Sequence, residues 1–416
     1  MEIRAWLATI ISTLGAFVFL YPLAMGILWT VGGLAFWWYR ERERRPRWPP
    51  EWPSLTILIP CHNEAHTIDV VCTHLAPVQY PRLKVLFIDD ASVDATTARI
   101  RQHLADQPWF HLLRVEKNQG KAGALNLALR LVQTPLVMVL DADTLLAAEA
   151  LQWMAAPFVC QSRLGAVTAN PIPWNRRGFW GRFQTAEFAA IFGLIKRTQR
   201  VWGKVLTVSG CATMFRTEAL REVGGFSTAT ATEDIDITWR LQRAGYEVWF
   251  EPEAVAYIQV PMGLADYLKQ RRRWATGGWH LLRLHRSVFS QWRWRRLWPV
   301  YLDFVLGYFW AFCFVTMTVL WTIAVVLGEP LLVASPFPAW HGAVLSLVCV
   351  TQMTVAALIN NRYDPGLIDC LFWIPWYPLL FFAFSAVQVV ITAGSGLFGD
   401  LAESGRWQSP DRESGY

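Results

Sequence analysis

The alternation of apolar and polar stretches divides the chain into three parts. The first is almost wholly apolar from Ala5 to Tyr39, which at about 1.5 Å per residue makes a helix longer than a bilayer core of about 30 Å. Because Pro22 lies near its middle, this part is either a hairpin of two short spans or an interfacial stretch followed by one span near residues 17–39. It is too long for a cleavable signal peptide. A proline-rich linker follows at 45–53.

The second part has the pattern of a mixed α/β domain. Short apolar runs at 55–60, 83–89 and 136–141 predict strands, and the stretches 64–75, 94–104 and 121–132 between them carry helical periodicity. This β-α-β-α order predicts a mostly parallel sheet with helices on both faces. The basic, amphipathic stretch at 264–296 predicts interfacial helices at the end of the domain.

The third part contains three apolar segments, near 301–327, 339–360 and 367–392, each long enough to span a bilayer. The predicted domains are therefore a membrane region with a basic linker at 1–53, the α/β domain at 54–296, and a membrane region with a polar tail at 297–416. If the basic residues at 293–296 are cytoplasmic, the loop at 328–338 lies outside and the loop at 360–366, with Arg362, inside. The tail is then outside unless the last segment is re-entrant.

Composition and charge support a membrane location. Hydrophobic residues make up 54% of the 416 residues, charged residues 17%, and 24 residues are tryptophan, a balance that would overload a soluble surface with apolar area. The seven cysteines show neither C-x-x-C pairing nor metal-ligand spacing, so no disulfide framework is expected. Basic clusters flank the apolar segments, which favours anionic lipid over nucleic acid as their partner. These clusters are Arg40, Arg42, Arg44, Arg45 and Arg47, and Arg293, Arg295 and Arg296.

Polar side chains follow three of the predicted strands. In an open parallel sheet, ligands bind at the carboxyl ends of the strands, so these side chains are expected at one edge. For any single strand the alternative is structural, since Asp and Ser often cap the helix that follows. The candidates are Pro60, Cys61, Asn63 and Glu64 after the first strand, Asp90 after the second, and Asp141 and Asp143 after the run 136–140.

Asp141 and Asp143 are two carboxylates one residue apart, an arrangement that suits a hard divalent cation such as Mg²⁺ or Mn²⁺. A cation there can bridge the phosphates of a nucleotide diphosphate and stabilise their charge as they leave. Lys121 opens a helix after a Gly-rich turn, so it either neutralises phosphate or is simply a solvated lysine. The turn is not a P-loop, because the G-x-x-x-x-G-K-[ST] spacing is missing.

Two later motifs add candidate chemistry. Glu233 and Asp234 begin a helix after Thr232, and one of these carboxylates can act as a general base; the structural alternative is that acids in a first turn favour the helix dipole, with Thr232 as the N-cap. The second motif lies in the basic stretch, where an Arg can bind a diphosphate and a Trp can stack on a sugar. Its alternative is an interfacial helix on anionic lipid. The candidates there are Gln270, Arg273 and Trp274.

Taken in order, these motifs resemble those of the processive family 2 glycosyltransferases, the class of the cellulose, chitin and hyaluronan synthases. The matching motifs are Asp89-Asp90, Asp141-Ala142-Asp143, Thr232-Glu233-Asp234 and Gln270-x-x-Arg273-Trp274. Within this family the chain is most similar to the poly-β-1,6-N-acetyl-D-glucosamine synthases of bacterial biofilm systems, over nearly its whole length. That narrower resemblance includes residues 29–33, 193–200, 207–210, 361–363 and 406–412.

The resemblance implies a GT-A fold, Rossmann-like, in a cytoplasmic catalytic domain inserted between transmembrane helices of a bacterial inner membrane. It implies an inverting enzyme that builds an exopolysaccharide from UDP-N-acetylglucosamine, with Mg²⁺ or Mn²⁺ as cofactor. Asp90 and the turn at 60–64 would contact uracil, Asp143 would ligate the metal, and Asp234 would be the base. Gln270, Arg273 and Trp274 would hold the diphosphate and the acceptor end. A small membrane accessory subunit and regulation by cyclic di-GMP are implied by the resemblance alone.

Three alternatives remain open from the sequence. A synthase of another β-linked polysaccharide, of the hyaluronan, chitin or cellulose type, would use the same motifs. So would a transferase that adds a single sugar to a lipid. A non-catalytic membrane protein that binds or exports polysaccharide is the alternative from another class; loss of a motif acid would favour it, and all the motif acids are present.

Overall fold

The computed structural model describes residues 2–328 and 340–399. The chain begins with one continuous helix, α1 (Glu2–Phe36), which passes through Pro22 and ends in a π-helical turn, Trp37–Glu41. The hairpin of two short spans is therefore wrong, because the helix does not reverse at Pro22. At about 1.5 Å per residue, the 35 residues of α1 extend about 50 Å.

The linker leads into a sheet of eight strands in the order β3-β2-β1-β4-β7-β6-β8-β5. The four strands β3-β2-β1-β4 are parallel, and β6 pairs parallel with β8, whereas β7 and β5 run antiparallel to their neighbours. The predicted mostly parallel sheet is thus confirmed. The strands are β1 Leu55–Cys61, β2 Leu83–Asp90, β3 Phe110–Val115, β4 Leu136–Leu140, β5 Leu145–Leu146, β6 Leu164–Pro173, β7 Ala212–Arg216 and β8 Glu247–Ile258.

Helices cover both faces of this sheet, because alternate strand side chains bury one apolar cluster on each face. Ile57 and Ile59 of β1 belong to one cluster, and Leu58 between them belongs to the other. The helices of the domain are α2 Ile68–Leu75, α3 Thr96–Leu104, α4 Gly120–Leu129, α5 Ala150–Cys160, α6 Gly178–Phe188, α7 Lys196–Trp202, α8 Thr217–Glu222, α9 Glu233–Arg243 and α10 Leu264–Leu284. A π-helical stretch, Ala189–Ile195, joins α6 to α7.

After α10, two short 3-10 segments, Arg286–Ser290 and Trp292–Leu297, lead to the C-terminal helices. These are α11 Trp298–Leu327, α12 Trp340–Asn360, α13 Tyr377–Ile391 and α14 Ala393–Phe398. Among the described residues, three helical stretches are long and apolar enough to cross a membrane: Ala5–Glu41, Trp292–Leu327 and Gly342–Asn360.

The span predicted at 367–392 stays a prediction, because this segment is not one continuous α-helix. A 3-10 segment, Pro365–Trp376, occupies its first part, and the 15-residue helix α13 follows directly. Pro365, Pro375 and Pro378 lack the amide hydrogen that an α-helix needs, which explains the interruption. The predicted loop and tail at 329–339 and 400–416 lie outside the described residues.

A buried polar cluster joins two of the long apolar helices to the sheet domain. The fully buried Arg197 of α7 donates to both carboxylate oxygens of Glu41, at 2.7 and 2.8 Å, and to Asn360 Oδ1 at 3.0 Å. The Tyr363 hydroxyl donates to Glu41 Oε1 at 2.8 Å. The ends of α1 and α12 therefore meet at one residue of the α/β domain.

Candidate active site

The turns after β1 and β2 are tied together at the carboxyl edge of the sheet. Asn63 has a positive φ of 57°, in the left-handed region that Asn tolerates better than most residues. This places its backbone N–H 3.0 Å from Ser92 Oγ and its side-chain Oδ1 3.0 Å from the N–H of Val93. Asn63 is thus half-buried at the predicted edge, with its amide group engaged by the second turn.

The other residues of the first turn point inward. Cys61 is fully buried in the core, with its Sγ 3.4 Å from the carbonyl oxygen of Ile59. Glu64 is also buried and accepts a hydrogen bond from the Thr67 hydroxyl at 3.0 Å. Pro60 is a buried strand residue. At these three positions the backbone, and not the side chain, borders the edge of the sheet.

The two adjacent aspartates of β2 have different surroundings. Asp89 accepts from Ser92 N–H at 3.0 Å and from the Thr97 hydroxyl, so it organises its own turn. Asp90 accepts the Gln119 N–H at 2.8 Å through Oδ1, whereas its buried Oδ2 has no hydrogen-bond partner in the described part of the chain. Burial raises the pKa of Asp90. A buried, unpaired acceptor is costly, so this oxygen suits an N–H donor from a ligand.

Lys121 of α4 connects the Asp141 turn to the start of α9. Its Nζ lies 2.6 Å from Asp141 Oδ1 and 3.4 Å from Glu233 Oε1, and it donates to the Gly210 carbonyl at 3.1 Å. Burial lowers the pKa of Lys121, but the two carboxylates outweigh it and raise the pKa above the usual range. The solvated-lysine alternative does not match this position, because the ammonium is largely enclosed by acceptors.

Asp141 and Asp143 are both partly exposed in the turn after β4. The Asp141 N–H donates to the Cys211 carbonyl at 2.9 Å, and Asp143 Oδ1 accepts from the Thr144 hydroxyl at 3.2 Å. Within residues 2–328 and 340–399 no group of three or more His, Cys, Asp or Glu residues could hold a metal by itself. Two carboxylates still fit Mg²⁺ or Mn²⁺, because Mg²⁺ usually keeps waters and takes substrate phosphates as further ligands.

Asp234 is packed against the turn that follows β6 and α7. Its Oδ1 accepts the N–H of Ile235 at 2.9 Å, and a Cβ added to Gly210 would lie 3.3 Å from its Oδ2. Burial and the neighbouring Glu233 raise the pKa of Asp234 to about 6. Thr232 occupies the N-cap position of α9, but its side chain makes no capping hydrogen bond. One carboxylate oxygen of Asp234 is therefore used in a backbone hydrogen bond, and the other, Oδ2, lies beside a glycine.

Helix α10 brings the last motif to the same region. Trp274 packs against an apolar cluster, Phe188, Ile258 and Val260, which Cys211, the residue after Gly210, also contacts. Gln270 has a buried Oε1 without a hydrogen-bond partner among the described residues, and Arg273 is exposed. The structure thus places Trp274 against the same apolar cluster as Cys211, while Arg273 reaches solvent.

The sequence did not indicate that Arg271, the first arginine of this motif, is buried. Arg271 is buried and donates to Glu187 Oε2 at 2.6 Å, and its guanidinium lies over the rings of Tyr267 and Trp274, at 4.5 and 4.2 Å. Burial raises the pKa of Glu187 to about 7. Three consecutive arginines look alike in the sequence, so only the helix rotation shows which one is inside.

Two glycines let α10 approach its neighbours closely. A side chain at Gly277 would overlap Thr232, and one at Gly278 would overlap the hydroxyl of Tyr308 in α11. The Tyr308 hydroxyl donates to the Ala275 carbonyl at 3.0 Å. The position of Trp274 therefore depends on contacts both with the Thr232 turn and with a membrane helix.

Comparison with known proteins identifies the family of the chain. The model of the family described as glycosyl transferase family group 2 matches residues 136–386. A poly-β-1,6-N-acetyl-D-glucosamine synthase of Staphylococcus aureus is 31% identical over 414 residues, which cover 95% of this chain and 98% of the relative. A synthase of the same name from Staphylococcus epidermidis is 31% identical over 406 residues, with the same coverage.

A solved structure shows the same fold. A mannosyltransferase from Pyrobaculum calidifontis, in complex with GDP-mannose and Mn²⁺, matches with a TM-score of 0.56 and 18% identity over 92% of this chain and 99% of its own. At that identity the likeness supports the GT-A fold alone. The family match and the staphylococcal relatives go further: this chain belongs to the family group 2 glycosyltransferases.

Proposed function

We propose that the chain is a membrane-bound inverting glycosyltransferase that polymerises N-acetylglucosamine from UDP-N-acetylglucosamine into β-1,6-linked poly-N-acetylglucosamine. The observation that carries this proposal is the convergence of Asp141, Lys121 and Glu233 at one sheet edge, beside Asp234. The sugar and the linkage are supported by the names of relatives that are 31% identical over 95% of the chain.

The donor nucleotide would bind where β1 and β2 end. The unpaired Oδ2 of Asp90 is an acceptor in a buried position, which suits the imide N–H of uracil. The backbone of the turn at 60–64 lines the same edge, with Asn63 at its surface. These contacts would hold the base and leave the diphosphate directed toward the Asp141 turn.

The diphosphate would lie beside the two carboxylates after β4, within reach of Lys121. Asp141 and Asp143 would hold Mg²⁺ or Mn²⁺, which stabilises the negative charge of the departing diphosphate. The Mn²⁺ in the mannosyltransferase of the same fold supports a divalent cation here. The ammonium of Lys121 is fixed 2.6 Å from Asp141 and adds a second positive charge, and the exposed Arg273 on α10 adds a third.

Asp234 would act as the general base. Its carboxylate accepts the proton of the C6 hydroxyl at the end of the growing chain, while that oxygen attacks the anomeric carbon of the donor. The bond from the anomeric carbon to the diphosphate breaks on the opposite face, so the α-linked donor becomes a β-linked residue. A pKa of about 6 makes Asp234 ionised yet basic near neutral pH, and Trp274 would stack on the acceptor sugar.

The catalytic domain would lie on the cytoplasmic side of a multi-pass protein. Basic residues at 40–47 and at 293–296 flank the long apolar helices on the domain side, and the ends of α1 and α12 meet at Arg197 on that side. Three long helices are few to enclose a polysaccharide, so a small membrane subunit would complete the export path.

The test is synthesis in isolated membranes that contain the chain as their one added synthase. Labelled UDP-N-acetylglucosamine, UDP-glucose and UDP-glucuronate are supplied separately, and the product is digested with hydrolases specific for β-1,6 or β-1,4 linkages. Polymer from UDP-N-acetylglucosamine alone, cleaved by the β-1,6-specific enzyme, is the expected result. A product cleaved by the β-1,4-specific enzyme, or a single sugar on lipid, would refute the proposal.

A further inference from the structure

Lys196 is a buried cation that the reaction described above does not use. Lys196 is the first residue of α7 and is 3% exposed, and its ammonium donates to Ser209 Oγ at 2.7 Å. The rings of Phe192 and Phe250 lie 5.1 and 5.9 Å from the ammonium. In the described part of the chain no carboxylate oxygen lies within 4.0 Å of Lys196 Nζ, the distance limit for an ion pair. A hydroxyl and two rings therefore form its nearest surroundings.

The other buried Lys and Arg side chains among the described residues have carboxylate partners. Arg197, the next residue, binds Glu41, and Arg271 binds Glu187. Removing an ammonium from water without such a partner is unfavourable, which is why buried lysines are rare and often belong to a functional site. The position of Lys196 is therefore not explained by folding stability, since an apolar side chain of the same length would avoid this cost.

The partner of Lys196 leads directly to the proposed base. Ser209 precedes Gly210, and a Cβ added to Gly210 would lie 3.3 Å from Asp234 Oδ2, so this turn and the Asp234 carboxylate are closely packed. The Ser209 backbone is already held by Thr168, which accepts its N–H at 2.7 Å. The Lys196 side chain adds a second contact to this turn and brings a positive charge to it.

We propose that Lys196 is a positioning residue for the reaction, whose positive charge, held at Ser209, keeps Asp234 ionised when the bound sugar excludes water from the site. This inference rests on the proposed role of Asp234 as the base. The donor and acceptor sugars remove solvent that would otherwise stabilise the carboxylate, so a fixed cation nearby becomes more important in the loaded enzyme.

The charges around both groups support this assignment. Asp234 faces Glu233 from its own helix, Lys121 from α4 and Lys196 from α7. The charge of Lys121 is shared with Asp141 and Glu233, at 2.6 and 3.4 Å. Lys196 faces the Cys211 thiol and Asp234, and burial lowers the pKa of Lys196 to about 8, so it remains cationic in the range where Asp234 titrates.

The test is the pH dependence of kcat in the Lys196→Met variant of the full-length protein in membranes, at saturating Mn²⁺ and UDP-N-acetylglucosamine. Methionine keeps most of the side-chain volume and removes the charge. The acidic limb of the profile should move to higher pH by about one unit, so that turnover relative to wild type falls about tenfold at pH 5.5 and recovers toward pH 8. Lys196→Arg should restore the wild-type profile.

Two controls separate this effect from a general loss of structure. Lys204→Met makes the same chemical change beyond the end of α7 and should leave the profile unchanged. A profile normalised to its own maximum does not depend on the amount of folded enzyme, and Lys196→Gln serves if the methionine variant does not accumulate. A Lys196→Met profile parallel to wild type at every pH would overturn the inference.

Failure of the inference about Lys196 can be distinguished from failure of the proposed function. If Asp234→Asn retains wild-type turnover, the base assignment is wrong and the inference falls with it. If Asp234→Asn is inactive while the Lys196→Met profile is unshifted, the base assignment stands and only the role of Lys196 is refuted.

Discussion

Replacing Asp234 by Asn is the perturbation that most directly tests the proposed mechanism. The substitution keeps the shape of the side chain. In the wild-type protein the N–H of Ile235 donates to Asp234 Oδ1 at 2.9 Å, and the amide oxygen of Asn can accept the same hydrogen bond. It removes the charge and the basic lone pair beside Gly210. The helix start should therefore be preserved while proton acceptance from the acceptor hydroxyl is lost.

The structure gives magnitudes for two effects of Asp234→Asn, a loss of turnover and a gain of stability. A base with a pKa of about 6 is about nine-tenths ionised at pH 7, and its loss should lower kcat about 10²- to 10⁴-fold. Burial raises this pKa from 3.8 to about 6, so the ionised carboxylate weakens folding by up to about 3 kcal/mol above that pKa. Asn removes this penalty, so the variant should be at least as stable as wild type.

The sign of the stability difference follows from linkage. An acid whose pKa is raised by folding destabilises the fold only when it is ionised, so the advantage of Asp234→Asn is full above about pH 6 and disappears below about pH 4. Thermal unfolding in detergent, followed by tryptophan fluorescence at pH 7 and pH 4.5, measures this difference. A melting temperature well below wild type at pH 7 would contradict the structural reasoning.

Activity is measured as polymer formed from labelled UDP-N-acetylglucosamine, and UDP binding is measured separately by calorimetry. Binding should be unchanged within a factor of about two, because Asp234 contacts no part of the nucleotide in the proposed complex. Polymer synthesis within tenfold of wild type by a well-folded Asp234→Asn variant would refute the assignment of the base. Glu233→Gln is the companion variant, since it tests whether the neighbouring carboxylate substitutes for Asp234.

Three further predictions follow from particular contacts. Asp143→Ala should abolish activity that depends on added Mg²⁺ or Mn²⁺, and turnover that is still stimulated by the metal would exclude its role as a ligand. Arg273→Ala should raise both the Kd for UDP and the KM for donor about tenfold, whereas the exposed neighbour Arg272→Ala should not. Glu41→Gln leaves the buried Arg197 without its carboxylate and should cost about 3–5 kcal/mol of stability, visible as a lower melting temperature than that of Glu43→Gln, whose side chain is exposed.

The sheet and its catalytic edge follow closely from the sequence. The runs predicted at 55–60 and 83–89 are β1 and β2 to within one residue, and Asp141 begins the turn directly after β4. Local pattern is sufficient there because a buried parallel strand needs a continuous apolar run, and its end is marked by the first polar residue. The edge strand β3, with exposed His111 and Arg114, has no such run and was not predicted.

The membrane region shows where a pattern of apolar residues stops being informative. Apolar length alone did not distinguish the continuous helix α1 from a hairpin, and it did not show that the last apolar segment is divided into a 3-10 segment and a 15-residue helix. Hydropathy reports how well a segment partitions into lipid, whereas its conformation depends on backbone hydrogen bonds and on neighbouring helices. Pro22 is accommodated in one helix, and the prolines of the last segment are not.

By itself the sequence determined which residues are available for chemistry and their order along the chain: the aspartates at strand ends, the acids that begin α9, and the motif of α10. Only the tertiary structure decided their partners. It placed Lys121 between Asp141 and Glu233, turned Arg271 rather than Arg273 inward, and buried Lys196 next to the Asp234 turn. The physical reason is that propensity and periodicity act over a few neighbouring residues, whereas the charge and burial of a side chain depend on residues that are distant in sequence.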